Sequence, residues 1–214
     1  MRPPAHWVGS TPTLRIFAED HLITAPENPD HTAELLTLLS RDHERSRILD
    51  LVHSLQLPDC WIGAGFIRNA VWDHQHGRPP SKPSGDVDVI WFDPHHARPE
   101  DDYAVEKRLT ELDPDIRWSV KNQSRMHTRN GDRPYTSAVD AIRFWPETAT
   151  AIAVRRSGAG GIAITAPFGL DDLFGLFVRP TPRFIGAKHD IYLERVRNKQ
   201  WLRTWPCLVL ATIP

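Results

Sequence analysis

Two acidic residues, Asp86 and Asp88, flank Val87 immediately before an apolar run at residues 89–92. This alternation predicts a β-strand with both carboxylates on one face and the valines on the other. Two carboxylates held side by side repel each other unless a cation lies between them. A hard divalent cation, Mg²⁺ or Mn²⁺, is the usual partner, so Asp86 and Asp88 are the predicted metal ligands. The alternative is two solvated acids on an exposed edge strand, although Asp is disfavoured in strands.

A turn of small residues precedes the acidic pair. Gly63, Ala64 and Gly65 separate a short apolar strand from a predicted helix, at a place that requires small residues or a positive φ. The turn is not a dinucleotide-binding fingerprint or a P-loop, but it offers backbone N–H groups and a helix dipole to phosphate. Arg68 and Asn69 are further candidates for phosphate contact, or else a surface arginine and a polar helix residue. Followed by an acidic pair, this layout is typical of a site for a metal-bound nucleoside triphosphate.

A further polar segment ends the strand that is predicted at residues 116–122. Lys121, Asn122 and Gln123 follow Trp118 and Val120 there. These three side chains are candidates for contacts with phosphate, sugar or base. The alternative is an ordinary polar strand end.

Composition places few limits on function. The 214 residues include 26 Lys+Arg and 27 Asp+Glu, and the net charge of −1 gives no general attraction to nucleic acid or anionic membrane. Cys60 and Cys207 form no metal or redox motif, so we expect two reduced core thiols in a cytoplasmic protein rather than a disulfide. We expect no signal peptide and no membrane span, because no apolar run approaches ~18 residues.

The elements that must position these residues alternate between helix and strand. Residues 1–30 are proline-rich and predict an irregular N-terminal arm, followed by a single domain over residues 31–214. Helices are predicted at residues 31–56 (one helix with a polar middle, or two), 66–76, 100–112, 135–145, 171–177 and 191–205. Strands are predicted at residues 61–62, 87–92, 116–122, 152–154 and 162–166. This order predicts an α/β or α+β fold, with a small mixed β-sheet flanked by helices.

The eight tryptophans are unusually many for this length, and five of them border the polar segments. Filling of the core is the favoured interpretation, and stacking on a substrate is the alternative.

These residues resemble the DNA polymerase β-like nucleotidyltransferase superfamily, whose signature is a glycine turn and helix followed by an Asp-x-Asp strand. The chain looks more closely similar to a bacterial family of nucleotidyltransferase-like proteins, over roughly residues 45–206. The segments that carry this resemblance are residues 61–65, 68–69, 72–73, 85–89, 118–123, 125–127, 145–150, 166–173 and 199–201.

The resemblance implies a nucleotidyltransferase-like fold and transfer of a nucleoside monophosphate from an NTP such as ATP. Asp86 and Asp88 would hold Mg²⁺, and the turn at residues 63–65 would hold the β- and γ-phosphates. The superfamily often has a third carboxylate on a following strand, where this chain offers Lys121 and Asn122. A protonated lysine can hold phosphate but cannot coordinate Mg²⁺. Asp140 and Glu147 are the nearest later acids that could substitute.

Three functions follow from these observations. The leading hypothesis is a Mg²⁺-dependent nucleotidyltransferase in which Asp86, Asp88 and Lys121 are the catalytic candidates. Its acceptor would be a small molecule, a protein or RNA. The second is a catalytically degenerate, nucleotide-binding regulatory module, because the third acid is missing. The third is an interaction protein whose tryptophan-rich face docks a partner.

Overall fold

The computed structural model describes residues 29–211. The helices of this part of the chain are α1 (Pro29–Arg41), α2 (His43–Ser54), α3 (Gly65–Gln75), α4 (Pro99–Leu112), α5 (Met126–Asn130), α6 (Ala138–Ile142), α7 (Asp171–Phe174), α8 (His189–Lys199) and α9 (Trp201–Thr204). Its strands are β1 (Trp61–Gly63), β2 (Val87–Trp91), β3 (Trp118–Asn122), β4 (Ala153–Ser157), β5 (Gly161–Thr165), β6 (Phe177–Val178) and β7 (Val209–Leu210).

Five of these strands form one mixed sheet in the order β3-β2-β1-β4-β5. Strands β2 and β3 run parallel, and the other neighbours in this sheet run antiparallel. Strands β6 and β7 form a separate parallel pair. The predicted fold class, a small mixed sheet flanked by helices, is confirmed.

The two faces of the sheet pack against different partners. Val87 and Val89 point into the main core, which also takes apolar residues from α1 to α4 and from the C-terminal helices. Ile90 points to the opposite face, into a smaller cluster with residues of α6 and with Trp61. Because side chains alternate along a strand, Asp88 shares this second face with Ile90.

Two helices differ from their predicted bounds: one is shorter than predicted, and the other is divided into two helices. The helix predicted at residues 135–145 is reduced to α6, because the Ser137 side chain caps its start by accepting a hydrogen bond from the Asp140 backbone N–H (2.9 Å). The terminal helix is broken at Gln200, whose φ is +48°. This break allows Trp201 and Trp205 each to pack edge-on against Trp72, with ring centroids 5.6 and 5.1 Å away.

The remaining boundaries are close to the predictions. The polar stretch after α1 separates two helices, because Asp42 ends the first and caps α2 by accepting from the Arg45 backbone N–H (2.9 Å). The helix predicted at residues 171–177 ends earlier, at Phe174. The predicted N-terminal arm over residues 1–30 lies outside the described residues except for its last two, which begin α1.

Both cysteines are free thiols, but only one packs against the core. Cys60 is partly buried beside the main core, and burial raises its pKa to about 12. Cys207 is exposed, so the prediction of two core thiols was wrong for this residue. No helix within residues 29–211 is long and apolar enough to cross a membrane.

Candidate active site

Strand register brings the glycine turn and the acidic pair together. Gly63 at the end of β1 lies directly opposite Asp88 in the antiparallel pairing with β2. Asp88 in turn lies opposite Ser119 in the parallel pairing with β3. Neighbouring strands lie about 4.8 Å apart, so these three residues form a row across one end of the sheet.

Asp88 is the half-buried acid of the pair. Its pKa lies above the ordinary value, because burial disfavours the carboxylate and the nearby Asp86 charge repels it. A hydrogen bond with Ser119 and the positive charges of Lys199 and Arg195 act in the opposite direction. A bound cation would remove the remaining electrostatic cost.

Asp86 lies just before β2 rather than within it, so the prediction that both acids belong to one strand was wrong by one residue. Its carboxylate is exposed and forms an ion pair with the exposed Arg117. Exposed ion pairs of this kind contribute only about 0–1 kcal/mol. Asp86 can therefore exchange this partner for a metal ion at little cost.

The small-residue turn places its strain on Ala64. This residue has φ +53° and ψ −120°, whereas Gly63 and Gly65 have no positive φ. The Ala64 backbone N–H donates to the Ile152 carbonyl (3.0 Å), which fixes the turn against the segment before β4. No side chain within residues 29–211 caps α3, and its first turn contains no acid. Its first N–H groups are thus suited to receive an anion.

Arg68 and Asn69 lie beneath this turn and are buried. The Arg68 guanidinium lies between the indoles of Trp72 and Trp201, 4.9 and 4.5 Å from the ring centroids. It donates to Asn69 Oδ1 (2.9 Å), and burial lowers its pKa to about 10. These contacts join α3 to α9, and the predicted phosphate contacts of Arg68 and Asn69 stay predictions.

The polar end of β3 is engaged in local contacts. Lys121 Nζ donates to the Val120 carbonyl (2.8 Å) and lies 4.0 Å from Glu106 of α4. The Asn122 amide is fully buried and donates to two backbone carbonyls, those of residues 93 and 96. Gln123 Nε2 donates to the Lys121 carbonyl (3.1 Å). No hydrogen bond or ion pair within the described chain joins these three residues to Asp86 or Asp88. Their nucleotide-binding and catalytic roles stay predictions.

Helix α8 supplies charged residues that sequence reasoning did not assign to the site. Arg195 Nε donates to Glu147 Oε1 (2.8 Å), and its guanidinium lies 5.6 Å from the Trp201 ring. Lys199 lies one helical turn further along the same face and is exposed. Both residues act on the charge of Asp88. The only signal in the sequence was the segment at residues 199–201, whose resemblance carried no known role.

Neither acid that was considered as a third metal ligand joins the pair. Asp140 accepts two hydrogen bonds from Arg133 (2.8 and 2.7 Å). Glu147 is fully buried and is paired with Arg195. Between residues 29 and 211, no three His, Cys, Asp or Glu side chains form a group that could hold a metal.

Asp86 and Asp88 nevertheless suit Mg²⁺. This ion demands hard oxygen donors and is usually bound through one or two carboxylates, with waters and substrate phosphates completing its coordination. The raised pKa of Asp88 and the exposed position of Asp86 fit such a site, because one acid is fixed and the other remains open to solvent.

A family model described as "Nucleotidyltransferase" matches residues 50–210, which is most of the chain. The chain belongs to this nucleotidyltransferase family. A solved NMR structure described as a CCA-adding enzyme head domain is similar to this chain at 32% identity and a TM-score of 0.77. The match covers 85% of this chain and 96% of that one. The predicted family resemblance is confirmed.

More distant structures also match. A tRNA-processing enzyme in an apo form is 17% identical, with 77% of this chain and 44% of that chain covered and a TM-score of 0.47. A CCA-adding enzyme in complex with CTP is 14% identical, with 87% and 43% covered and a TM-score of 0.48. These two likenesses are too distant to carry a functional argument. No curated protein matches the chain.

Proposed function

We propose that this nucleotidyltransferase moves a nucleoside monophosphate from an NTP, with ATP as the reference donor, to an acceptor in a Mg²⁺-dependent reaction. The observation that supports this most strongly is the register of Gly63 against Asp88. It sets a helix N-terminus suited to phosphate beside a carboxylate pair suited to a metal ion.

Each residue of the site has a distinct role in this proposal. Asp86 and Asp88 hold the metal ion, which when bound neutralises triphosphate charge and orients the α-phosphate. The backbone N–H groups that follow Ala64 donate hydrogen bonds to the β- and γ-phosphates. Lys199 and Arg195 add positive charge on the side of α8 and favour the anionic forms of both Asp88 and the nucleotide.

The reaction requires no covalent enzyme intermediate. An acceptor hydroxyl attacks the α-phosphorus in line, its oxygen forms the new bond to phosphorus as its proton is lost to solvent, and the bond to the departing pyrophosphate breaks. The protein contributes position and electrostatic stabilisation, which a rigid sheet end provides.

Transfer is tested with NTP labelled at the α-phosphate and Mg²⁺, in separate reactions that contain RNA, protein or small-molecule acceptors. We expect label on one acceptor class and stoichiometric pyrophosphate, both lost in Asp86→Asn/Asp88→Asn. Label transfer that is equal in the double variant would contradict the assignment of the site.

A second candidate function is nucleotide binding without transfer. The observation that favours it is that β3, which runs beside Asp88, carries no carboxylate: Ser119 lies opposite Asp88, and Lys121 and Asn122 stand where the resemblance implies a third acid. In this case Mg²⁺-dependent NTP binding persists, but no acceptor becomes labelled and no pyrophosphate forms. Turnover with any acceptor eliminates this candidate.

A further inference from the structure

One tryptophan differs from all the others in the described part of the chain. Six of the seven tryptophans there are at most 6% exposed and fill the core, as the sequence predicted. Trp145 is only partly buried and packs against the edge of the smaller cluster that contains Trp61 and Ile90. Of these indoles, it has the most surface left for contact with a ligand.

Trp145 lies on the same face of the sheet as Asp88. A Cβ placed on Gly63 would lie 2.5 Å from Trp145 Cη2, so the indole lies directly over this glycine. Gly63 is opposite Asp88, and directly opposed residues of antiparallel strands point to the same face. The indole therefore covers the residue directly opposite Asp88, on a strand about 4.8 Å from the strand that carries Asp88.

The segment that carries Trp145 is fixed by its backbone. The Trp145 N–H donates to the Ile142 carbonyl (3.1 Å), and its carbonyl accepts from Thr181 Oγ1 (2.7 Å). Two residues later, the buried Glu147 pairs with Arg195. The Trp145 backbone is thus held in place, and the indole packs against the smaller cluster and over Gly63, so ordering it on binding costs little entropy.

We infer that Trp145 is the platform on which the base of the bound NTP stacks. This inference rests on the proposed function, because it takes the triphosphate to lie at Asp86, Asp88 and the turn before α3. The flat π-face of an indole suits every base. Trp145 therefore gives affinity for the base with little discrimination between purines and pyrimidines.

The test compares nucleotides with a ligand that lacks the base. Binding of MgATP, MgCTP and Mg²⁺-tripolyphosphate is measured by calorimetry on wild type, Trp145→Leu and Trp145→Phe. We expect Trp145→Leu to weaken both nucleotides about tenfold and to leave tripolyphosphate within about twofold. Trp145→Phe keeps a ring and is expected to lose less affinity than Trp145→Leu.

Phe144→Leu is the matched control. This half-buried ring adjoins Trp145 in sequence but packs against Tyr135, with ring centroids 5.0 Å apart. We expect Phe144→Leu to bind all three ligands with the affinities of wild type. Wild-type fluorescence gives a readout that needs no variant, because stacking on Trp145 should quench emission with ATP but not with tripolyphosphate.

The outcomes separate this inference from the proposed function. The stacking role alone would be overturned if wild type binds ATP and tripolyphosphate, Trp145→Leu loses no affinity for ATP, and ATP does not selectively quench the tryptophan fluorescence. Equal losses for ATP and tripolyphosphate in Trp145→Leu would also overturn it, because they indicate a distorted phosphate site. If wild type binds neither ligand, the proposed function fails first and the inference fails with it.

Discussion

Gly63 and Asp88 are direct cross-strand neighbours, so the turn that enters α3 and the acid near the start of β2 meet at one end of the sheet. The same glycine lies beneath the Trp145 indole, whose Cη2 atom is 2.5 Å from the position that a Cβ on residue 63 would take. Because Gly63 has no side chain, the turn before α3, Asp88 and Trp145 can lie close together.

Replacement of Gly63 by alanine should disturb both packing and binding. The added methyl group would meet Trp145 and the Ile152 carbonyl, the latter at 3.3 Å, so one of them must move. We expect the free energy of unfolding to fall by about 1–3 kcal/mol in denaturant titrations, with weaker NTP binding. Gly158→Ala is the control, because a Cβ there meets nothing within 4 Å. Equal stability of the two variants would disprove the close contact.

Ala64 should respond in opposite directions to glycine and to valine. Its φ of +53° strains a residue that has a Cβ. We expect Ala64→Gly to raise the free energy of unfolding by about 1 kcal/mol and Ala64→Val to lower it by about 2 kcal/mol. Chemical denaturation of both variants measures these changes in the free energy of unfolding. A loss of stability in Ala64→Gly would show that the turn is not strained.

Asp88 should limit stability in the absence of metal. Because its pKa is raised in the folded state, Asp88 binds a proton more tightly in the folded protein than in the unfolded chain. Stability is therefore lost as pH rises from the ordinary aspartate range through the raised pKa. We expect metal-free Asp88→Asn to melt at a higher temperature than wild type at neutral pH. Glu111→Gln, on the exposed side of α4, should melt as wild type does, and a lower Tm for Asp88→Asn would contradict this account.

The same raised pKa sets the pH range of metal binding. Mg²⁺ requires the Asp88 carboxylate, so Mg²⁺-dependent NTP affinity should fall as the solution is acidified through the raised pKa. That decline should lie at higher pH than an unperturbed aspartate would give. Calorimetric titrations across a pH series measure this decline, and a midpoint at the ordinary aspartate value would contradict the raised pKa of Asp88.

Lys199 should contribute to the site although it lies far away in sequence. The positive charge of Lys199 favours the Asp88 carboxylate. In Lys199→Ala, the decline of Mg²⁺-dependent NTP affinity on acidification should therefore occur at still higher pH. We also expect a several-fold loss of NTP affinity that shrinks at high salt. Because Lys199 is exposed, stability should change little. Lys107→Ala, which removes an exposed lysine of α4 that is 3.9 Å from Glu111, is the matched control. If the two variants bind NTP equally, Lys199 has no part in the site.

The sequence predicted those parts of the site that depend on short-range patterns. The alternation around Val87 and the small residues at positions 63–65 identified a strand and a turn from neighbouring residues alone. The pairing of Gly63 with Asp88 was not predicted, since register depends on which strands meet.

Other parts could not be predicted, because tertiary packing decides them. The positive φ at position 200 breaks a helix that local propensity favours, so that Trp201 and Trp205 can both reach Trp72. The approach of Lys199 to Asp88 follows from this packing. The sequence did not set Trp145 apart from the other tryptophans, and only the fold shows that its indole is partly exposed while the other six within residues 29–211 are buried.

The most direct test of the account is calorimetric titration of NTP into wild type and Asp86→Asn/Asp88→Asn, with Mg²⁺ and with EDTA. We predict binding by wild type that requires Mg²⁺, and loss of the Mg²⁺-dependent part in a double variant that remains folded. Failure of wild type to bind any NTP at millimolar concentration, or equal Mg²⁺-dependent binding by the double variant, would contradict the central claim that these two acids hold the metal of a nucleotide site.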